Sequence, residues 1–210
     1  MEKFVKVVGN IGNGAKVLKV LHFGSIDCES NGIQGNSFAS GMVIYKVTIY
    51  STGTTIEEQE KIIFRCPIEE EVNEWVNKNV LPEIKGIEEN CKSYDDMLCE
   101  FSKQYLKSKQ LTNMKYIVHV GLPVESRFFL DMYEAGYLGE WDLPFPLLDV
   151  AGNLDQMGMN PLSVDDYNRD HGITVPFTTG GTHNPLYDAM AAALCYFDLK
   201  NYFQESEKTE

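Results

Sequence analysis

The stretch Ser25-Ile26-Asp27-Cys28-Glu29-Ser30-Asn31-Gly32 decides how this chain is read. It closes an apolar run from Val17 to Ile26. The run reads as a buried strand ending at Asp27, and Asn31-Gly32 reads as the turn after it. Side chains at i and i+2 of a strand leave the same face, so Asp27 and Glu29 project together. Adjacent carboxylates resist ionising beside one another. A divalent cation between them removes that penalty, and hard oxygen ligands suit magnesium or manganese. Taken alone, the pair reads more simply as a strand end whose acids face water.

On either side of this stretch the chain alternates strand and helix signals. Upstream, Gly9, Gly12 and Gly14 lack the spacing of a phosphate-binding loop and read as a turn. Downstream, residues 30–37 form a polar loop. Met42–Tyr50 is a β-branched second strand, Ser51–Thr55 turns the chain, and Lys61–Arg65 is a third strand, giving an antiparallel meander. Pro67 and the acids Glu69–Glu71 suit a helix start, with Ile68, Val72, Trp75, Val76 and Val80 on its inward face until Pro82. Ser93 with Asp96 looks like a capping box for a second helix, with Met97, Leu98, Phe101 and Tyr105 inward. Tyr116–Val120 is a short buried strand, a helix begins near Val124, and Phe145–Val150 is a further strand candidate. Asp149–Asn160 is a loop or short helix. Ser163 and Asp166 cap a helix that Gly172 closes. Thr174–Gly181 is a glycine-bearing loop, and a final helix runs from Pro185 to about Phe203. The tail, residues 204–210, is charged and expected to fray.

Bulk properties narrow the function. The chain has 210 residues, 43% hydrophobic and 23% charged, which suits one α/β core. Met1–Val8 has no apolar core of signal-peptide length, and no segment suffices to span a membrane. The five cysteines form no CxxC pair, so reduced thiols and a cytoplasmic setting are expected and a zinc site is not. The net charge of −13 argues against a broad surface tracking phosphates. It leaves room for a nucleic acid held at one metal-filled pocket and favours short or single-stranded substrates over long duplexes.

Two further stretches carry chemistry. In Gly181-Thr182-His183-Asn184-Pro185-Leu186-Tyr187-Asp188, Asn184 is a good N-cap and Pro185 a good first helical residue. His183 then lies on the loop and Asp188 in the first turn, a base beside a carboxylate. In His119-Val120-Gly121-Leu122-Pro123-Val124-Glu125-Ser126-Arg127-Phe128, a strand and turn lead to Glu125, which opens a helix. Each alone has a plain structural reading: a loop histidine, an exposed helix acid, an N-terminal helix acid.

Their order resembles the DEDDh family of 3′→5′ exonucleases, which shares the ribonuclease H-like fold. The residues carrying the resemblance are Asp27-x-Glu29 on a strand, Glu125-x-x-Phe128 after a strand and turn, and His183-x-x-x-x-Asp188 on the last helix. Phe38-Ala39-Ser40-Gly41-Met42-Val43 also looks like the family's second strand. Leu162–Tyr167 with His171-Gly172-Ile173 looks like the helix and turn before its third motif. The resemblance spans roughly residues 17–200. It implies a mixed central sheet with an antiparallel three-strand meander flanked by helices, in a single exonuclease-like domain over 1–203 with a helical insertion at about 67–113. The family usually has Asp in the second motif where this chain offers Glu125. Asp131 is a second candidate, but six residues along the helix it points elsewhere.

By that resemblance, Asp27, Glu29 and Asp188 bind metal, Glu125 completes the shell, and two divalent ions, Mg²⁺ or Mn²⁺, lie ~4 Å apart. His183 is the general base, suited by its ordinary pKa of about 6.5. Asn31, Gly32 and Ile33 meet the terminal nucleotide, with Ile33 a wedge against its base, and Gly180 and Gly181 let the loop deliver His183. Phe38 and Tyr187 are either base-stacking or core residues. The expected substrate is single-stranded RNA or DNA or short oligonucleotides, cut to nucleoside 5′-monophosphates. Many relatives dimerise, so a homodimer is compatible by analogy. The alternative is a weakly catalytic or inactive nucleic-acid or nucleotide-binding module on the same fold. A structural protein without a nucleotide role leaves the ordered motifs unexplained.

Overall fold

The computed structural model describes residues 3–12, 14–177 and 180–203. The charged tail 204–210 lies outside these residues, as do Thr178 and Thr179 of the glycine loop. The chain builds a six-stranded mixed sheet in the order β1-β4-β3-β2-β5-β6. The meander is β2 (Val17–Ser30), β3 (Ser37–Tyr50) and β4 (Gly53–Arg65), paired antiparallel. On its other edge β2 pairs in parallel with β5 (Met114–Val118), and β5 with β6 (Leu147–Asp149).

Several strand limits differ from the sequence expectation. The first glycine-bearing segment contains β1 (Val5–Gly9), an edge strand antiparallel to β4. β2 continues past Asp27 to Ser30, β3 starts five residues before Met42, and β4 starts at Gly53 where a turn was expected. The backbone of these extensions is paired with distant strands, which overrides local turn preference. β5 ends at Val118, before Val120, whose backbone is left-handed (φ 54°). β6 is confined to Leu147–Asp149.

Helices pack both faces of the sheet. On one face α2 (Tyr94–Lys109) and α3 (Val124–Glu134) cover Ile26, Met42 and Ile44 with Phe101, Tyr105, Phe128 and Phe129. On the other, α6 (Pro185–Leu199) lies on Phe23, Val43 and Tyr45. Ala189 and Ala191–Ala193 let α6 approach closely. Phe197 sits edge-on to Phe23 and Tyr45, each with ring centroids 5.3 Å apart. Burying one such ring contributes about 1.5–3 kcal/mol. α4 (Val150–Gln156) and α5 (Val164–Asp170) complete that layer. α6 ends at Leu199, not near Phe203. Ser93 caps α2 by accepting from Asp96 N–H, but Asp96 accepts from Lys92 N–H, so the reciprocal half of the box is shifted by one residue.

The largest departure is after β4. The helix expected from Pro67 is replaced by α1 (Glu74–Asn79), which starts where Asn73 accepts from Trp75 and Val76 N–H. Pro67 and Glu69–Glu71 precede it as irregular chain, because Asn73 supplies the cap that those acids lack. Trp75 is consequently 55% exposed, not inward. Among the described residues no helix is long and apolar enough to cross a membrane.

Candidate active site

Sheet topology places the acids. β5 pairs with β2 only from His22 to Ser25 and then diverges, leaving Cys28 N–H on the open side. Glu125 Oε1 accepts that N–H at 3.0 Å, and Glu125 itself is only 4% exposed. On the α6 face, Asp27 and Glu29 continue the row of Leu21 and Phe23. Asp27 pairs in register with Gly41, and a Cβ at Gly41 would fall 2.7 Å from the Pro185 carbonyl. This glycine admits the start of α6 directly over the acidic end of β2, bringing Asp188 beside Asp27 and Glu29.

His183 adopts the left-handed region (φ 71°), and its N–H donates to Asp188 Oδ2 at 2.7 Å. Single ligand atoms of Glu29, His183 and Asp188 lie within 4.8 Å of one another, a set that can hold a metal ion. The histidine ring stands edge-to-face with Trp75 at 5.1 Å. Asp165 holds the loop from the other side, accepting from Thr182 Oγ1 at 2.7 Å and Tyr187 O–H at 2.9 Å. A 300 Å³ cleft is lined by all five predicted site residues, Asp27, Glu29, Glu125, His183 and Asp188, together with Asp165. It meets a second compartment of 680 Å³ at Glu29 and His183.

Mutual repulsion dominates the electrostatics. Burial, followed by the charges of Asp188, Glu29 and Glu125, raises the Asp27 carboxyl well above its usual range. Glu29 is pushed up to about 8 by burial and then by Asp188 and Glu125. Glu125 is raised to about 7 by burial, against the lowering effect of backbone N–H donors including that of Cys28. Asp188 reaches about 7, chiefly through burial. Burial also lowers His183, keeping its ring neutral near pH 7. Four carboxylates that resist ionising at one cleft are the donor set a hard divalent cation relieves.

The second compartment lies between the 30–36 loop and α1. Asn31, Gly32 and Ile33 all line it. Asn31 uses its side chain on protein: Oδ1 accepts from Asn73 N–H and Nδ2 donates to Glu71 O, each at 2.8 Å. It thereby fixes the wall carrying Trp75. Gly32 is left-handed (φ 82°), and Ile33 is 69% exposed at the mouth. Phe38 is a core residue at 2% exposure, and Tyr187 is tied to Asp165. Asp131 is committed to Tyr94 and Arg127, which removes it as an alternative to Glu125.

Three residues escaped the sequence reading. The sequence places Trp75 inward, on a helix that in fact starts only at Glu74. Asp165 reads as an ordinary first-turn acid. Asp149 caps α4 through Ala151 N–H, and it also accepts from Val120 and Gly121 N–H at 3.1 and 3.0 Å, holding the turn that aims Glu125. Two acids near caps gave no local sign of these long-range partners.

This sheet and its helices define an α/β fold of the ribonuclease H-like kind. No protein-family model matches the chain, and no curated protein matches its sequence. Solved structures of exonuclease I do match. The zinc-bound form of the E. coli exonuclease I–single-stranded DNA complex superposes with TM-score 0.55 at 10% identity, covering 87% of this chain and 40% of that one. E. coli exonuclease I in complex with a dA16 oligonucleotide gives 0.52 at 9% identity, covering 87% and 41%. A further exonuclease I structure gives 0.53 at 9% identity over the same shares. The likeness is one of fold, and the chain spans about two fifths of the length of those proteins.

Proposed function

We propose that this chain is a metal-dependent 3′→5′ exonuclease acting on single-stranded nucleic acid or short oligonucleotides. The observation that carries the reading is the convergence of Asp27, Glu29, Glu125 and Asp188 with a neutral His183 at one cleft. Exonuclease I neighbours bound to single-stranded DNA support it. We read residues 1–203 as one exonuclease-like unit, with 67–113 as its helical insertion.

Asp27, Glu29 and Asp188 would hold the divalent cations, Mg²⁺ or Mn²⁺, with Glu125 completing the acidic shell. Bound there, such ions supply positive charge that polarises the scissile phosphate and stabilises the leaving 3′ oxygen. The neutral His183 ring accepts the proton of the attacking water at a ring nitrogen. Asp188 fixes His183 through its backbone N–H, and Trp75 limits the ring's rotation. A P–O bond forms from water, the bond to the 3′ oxygen breaks, and a nucleoside 5′-monophosphate leaves. The 30–36 loop and the α1 wall would receive the terminal nucleotide, with Ile33 against its base.

A second reading has one specific support. Glu125 already serves the fold by satisfying Cys28 N–H, as a carboxylate kept for structure in a binding module would. Turnover separates the two. Purified protein is incubated with 5′-labelled single-stranded RNA or DNA and Mg²⁺, Mn²⁺ or EDTA, alongside Asp27→Ala and His183→Ala. The exonuclease gives a metal-dependent ladder shortening from the 3′ end and lost in both variants. Oligonucleotide binding without any ladder would establish the binding module instead.

A further inference from the structure

We infer that the cleft, read as the nuclease site above, takes oligonucleotides of a few nucleotides and holds them without any ionic grip on the strand beyond the reacting phosphate. Two compartments meet at Glu29 and His183, and among the described residues no lysine or arginine lines either of them. Arginine is the side chain best suited to clamp phosphates, because its planar fork matches their oxygens. This chain has three arginines, and each is already paired with carboxylate: Arg65 with Glu89, Arg127 with Asp131, and Arg169 with Asp166 and Asp170.

The walls add repulsion. Glu71 and Glu74 flank the α1 wall and are exposed, Asp165 lines the acidic compartment, and the whole chain carries −13. Each further phosphate of a long strand would approach this field with no lysine or arginine of either compartment to meet it, and Lys78 is the one cation that α1 sets against Glu71 and Glu74. Attraction is concentrated elsewhere. The acids supply a place for divalent cations at one phosphodiester. The larger compartment offers Trp75, Ile33, Val76 and Val80 as an aromatic and apolar wall for a base. Stacking of a base on an aromatic ring contributes about 1–3 kcal/mol and needs no phosphate contact. Both attractions are exhausted by the first nucleotides at the 3′ end, so extra length gains nothing.

The test measures kcat/KM of the wild-type chain at constant, saturating Mn²⁺ on single-stranded RNA and DNA from about 3 to about 20 nucleotides, at 50 and 200 mM KCl. Single-stranded binding loses affinity with a log–log slope of about −0.7 per phosphate neutralised. A site with one such contact or none changes by about 3-fold or less across that salt range, whereas five contacts give about 100-fold. The expected result is a salt effect of about 3-fold or less, with kcat/KM level or falling as length grows. A rise of about tenfold with length, or a salt effect near 100-fold, overturns the inference while leaving the nuclease intact. Failure to shorten any oligonucleotide at any length removes the nuclease reading and this inference with it.

Discussion

At Glu125 a buried carboxylate accepts the Cys28 N–H while its charge raises the pKa values of Asp27, Glu29 and Asp188. Glu125→Gln keeps an oxygen for that hydrogen bond and removes the charge. Metal-free Glu125→Gln is expected to be more stable at pH 8 by about 1 kcal/mol, about 2–4 °C in a chain of this length. Turnover with metal should fall by about 100-fold. Thermal unfolding in EDTA and the oligonucleotide ladder check the two halves. The carboxylates also set a pH dependence. Glu29 stands near 8 and Glu125 and Asp188 near 7, each above its ordinary value, so the folded chain binds more protons than the unfolded one. Their contribution to stability is full below about pH 4 and is lost as pH rises through 7 to 8. The unfolding temperature in EDTA is expected to fall across that window, and the rise produced by added Mn²⁺ to grow. An equal Mn²⁺ effect at pH 5 and pH 8 would contradict the assignment of these acids to the cation. That Asp27 and Glu29 share a face was legible from strand alternation, but the pair alone reads as a strand end facing water. The positions of Trp75 and Asp165 were not legible, because their partners, His183 on one side and Thr182 and Tyr187 on the other, come from distant segments.

Two elements meet at Gly41, and their separation sets the geometry of the cleft. A methyl group there would lie 2.7 Å from Pro185 C and O and 2.9 Å from Leu186 N, all backbone atoms at the start of α6. Gly41→Ala must therefore displace the helix that carries Asp188 and anchors His183. The expected cost is about 1–3 kcal/mol in stability and about 100-fold in turnover, since a shift near 1 Å suffices for that loss. Unfolding curves and kcat on a short oligonucleotide test this, and unchanged turnover would show that α6 does not position the chemistry. Helix starts with a side-chain cap were legible where the capping residue adjoins an apolar stripe, as at Ser93, Ser163 and Asn184. The start of α1 was misread because Pro67 and Glu69–Glu71 imitate a first turn, while Asn73 is held as the cap by Asn31, some 40 residues earlier.

At the scale of the whole molecule, charge is the controlling property. A chain carrying −13, with its acids crowded at one cleft, repels itself when folded. Raising NaCl from about 50 to about 500 mM should raise the unfolding temperature of the metal-free protein at pH 8, because screening shortens the reach of that repulsion. A fall would place the dominant ionic contribution in attractive pairs such as Lys61–Glu58 and Arg65–Glu89. The order of the meander, the strand before α3 and the last helix was readable along the chain, whereas the edge strand β1 was not, because only its pairing with β4 makes it a strand. Strand lengths were not readable either, since β4 owes eight of its residues, Gly53–Glu60, to pairing partners on β1 and β3.

By itself the sequence determined where the candidate residues fall on local structure: Asp27 and Glu29 on one face of a strand end from strand periodicity, Asn184-Pro185 as a helix start that leaves His183 outside and Asp188 inside, and the opening of a helix at Glu125. These are local properties of backbone geometry and spacing, so they need no partner to be seen. Only the tertiary structure decided that the acids share one cleft, that Glu125 meets the strand edge where β5 diverges, and that Trp75 and Asp165 hold the histidine loop from opposite sides. Such relations depend on where the sheet ends and on how closely α6 approaches over Gly41. Packing between segments far apart in the chain sets both, and no window of sequence contains it.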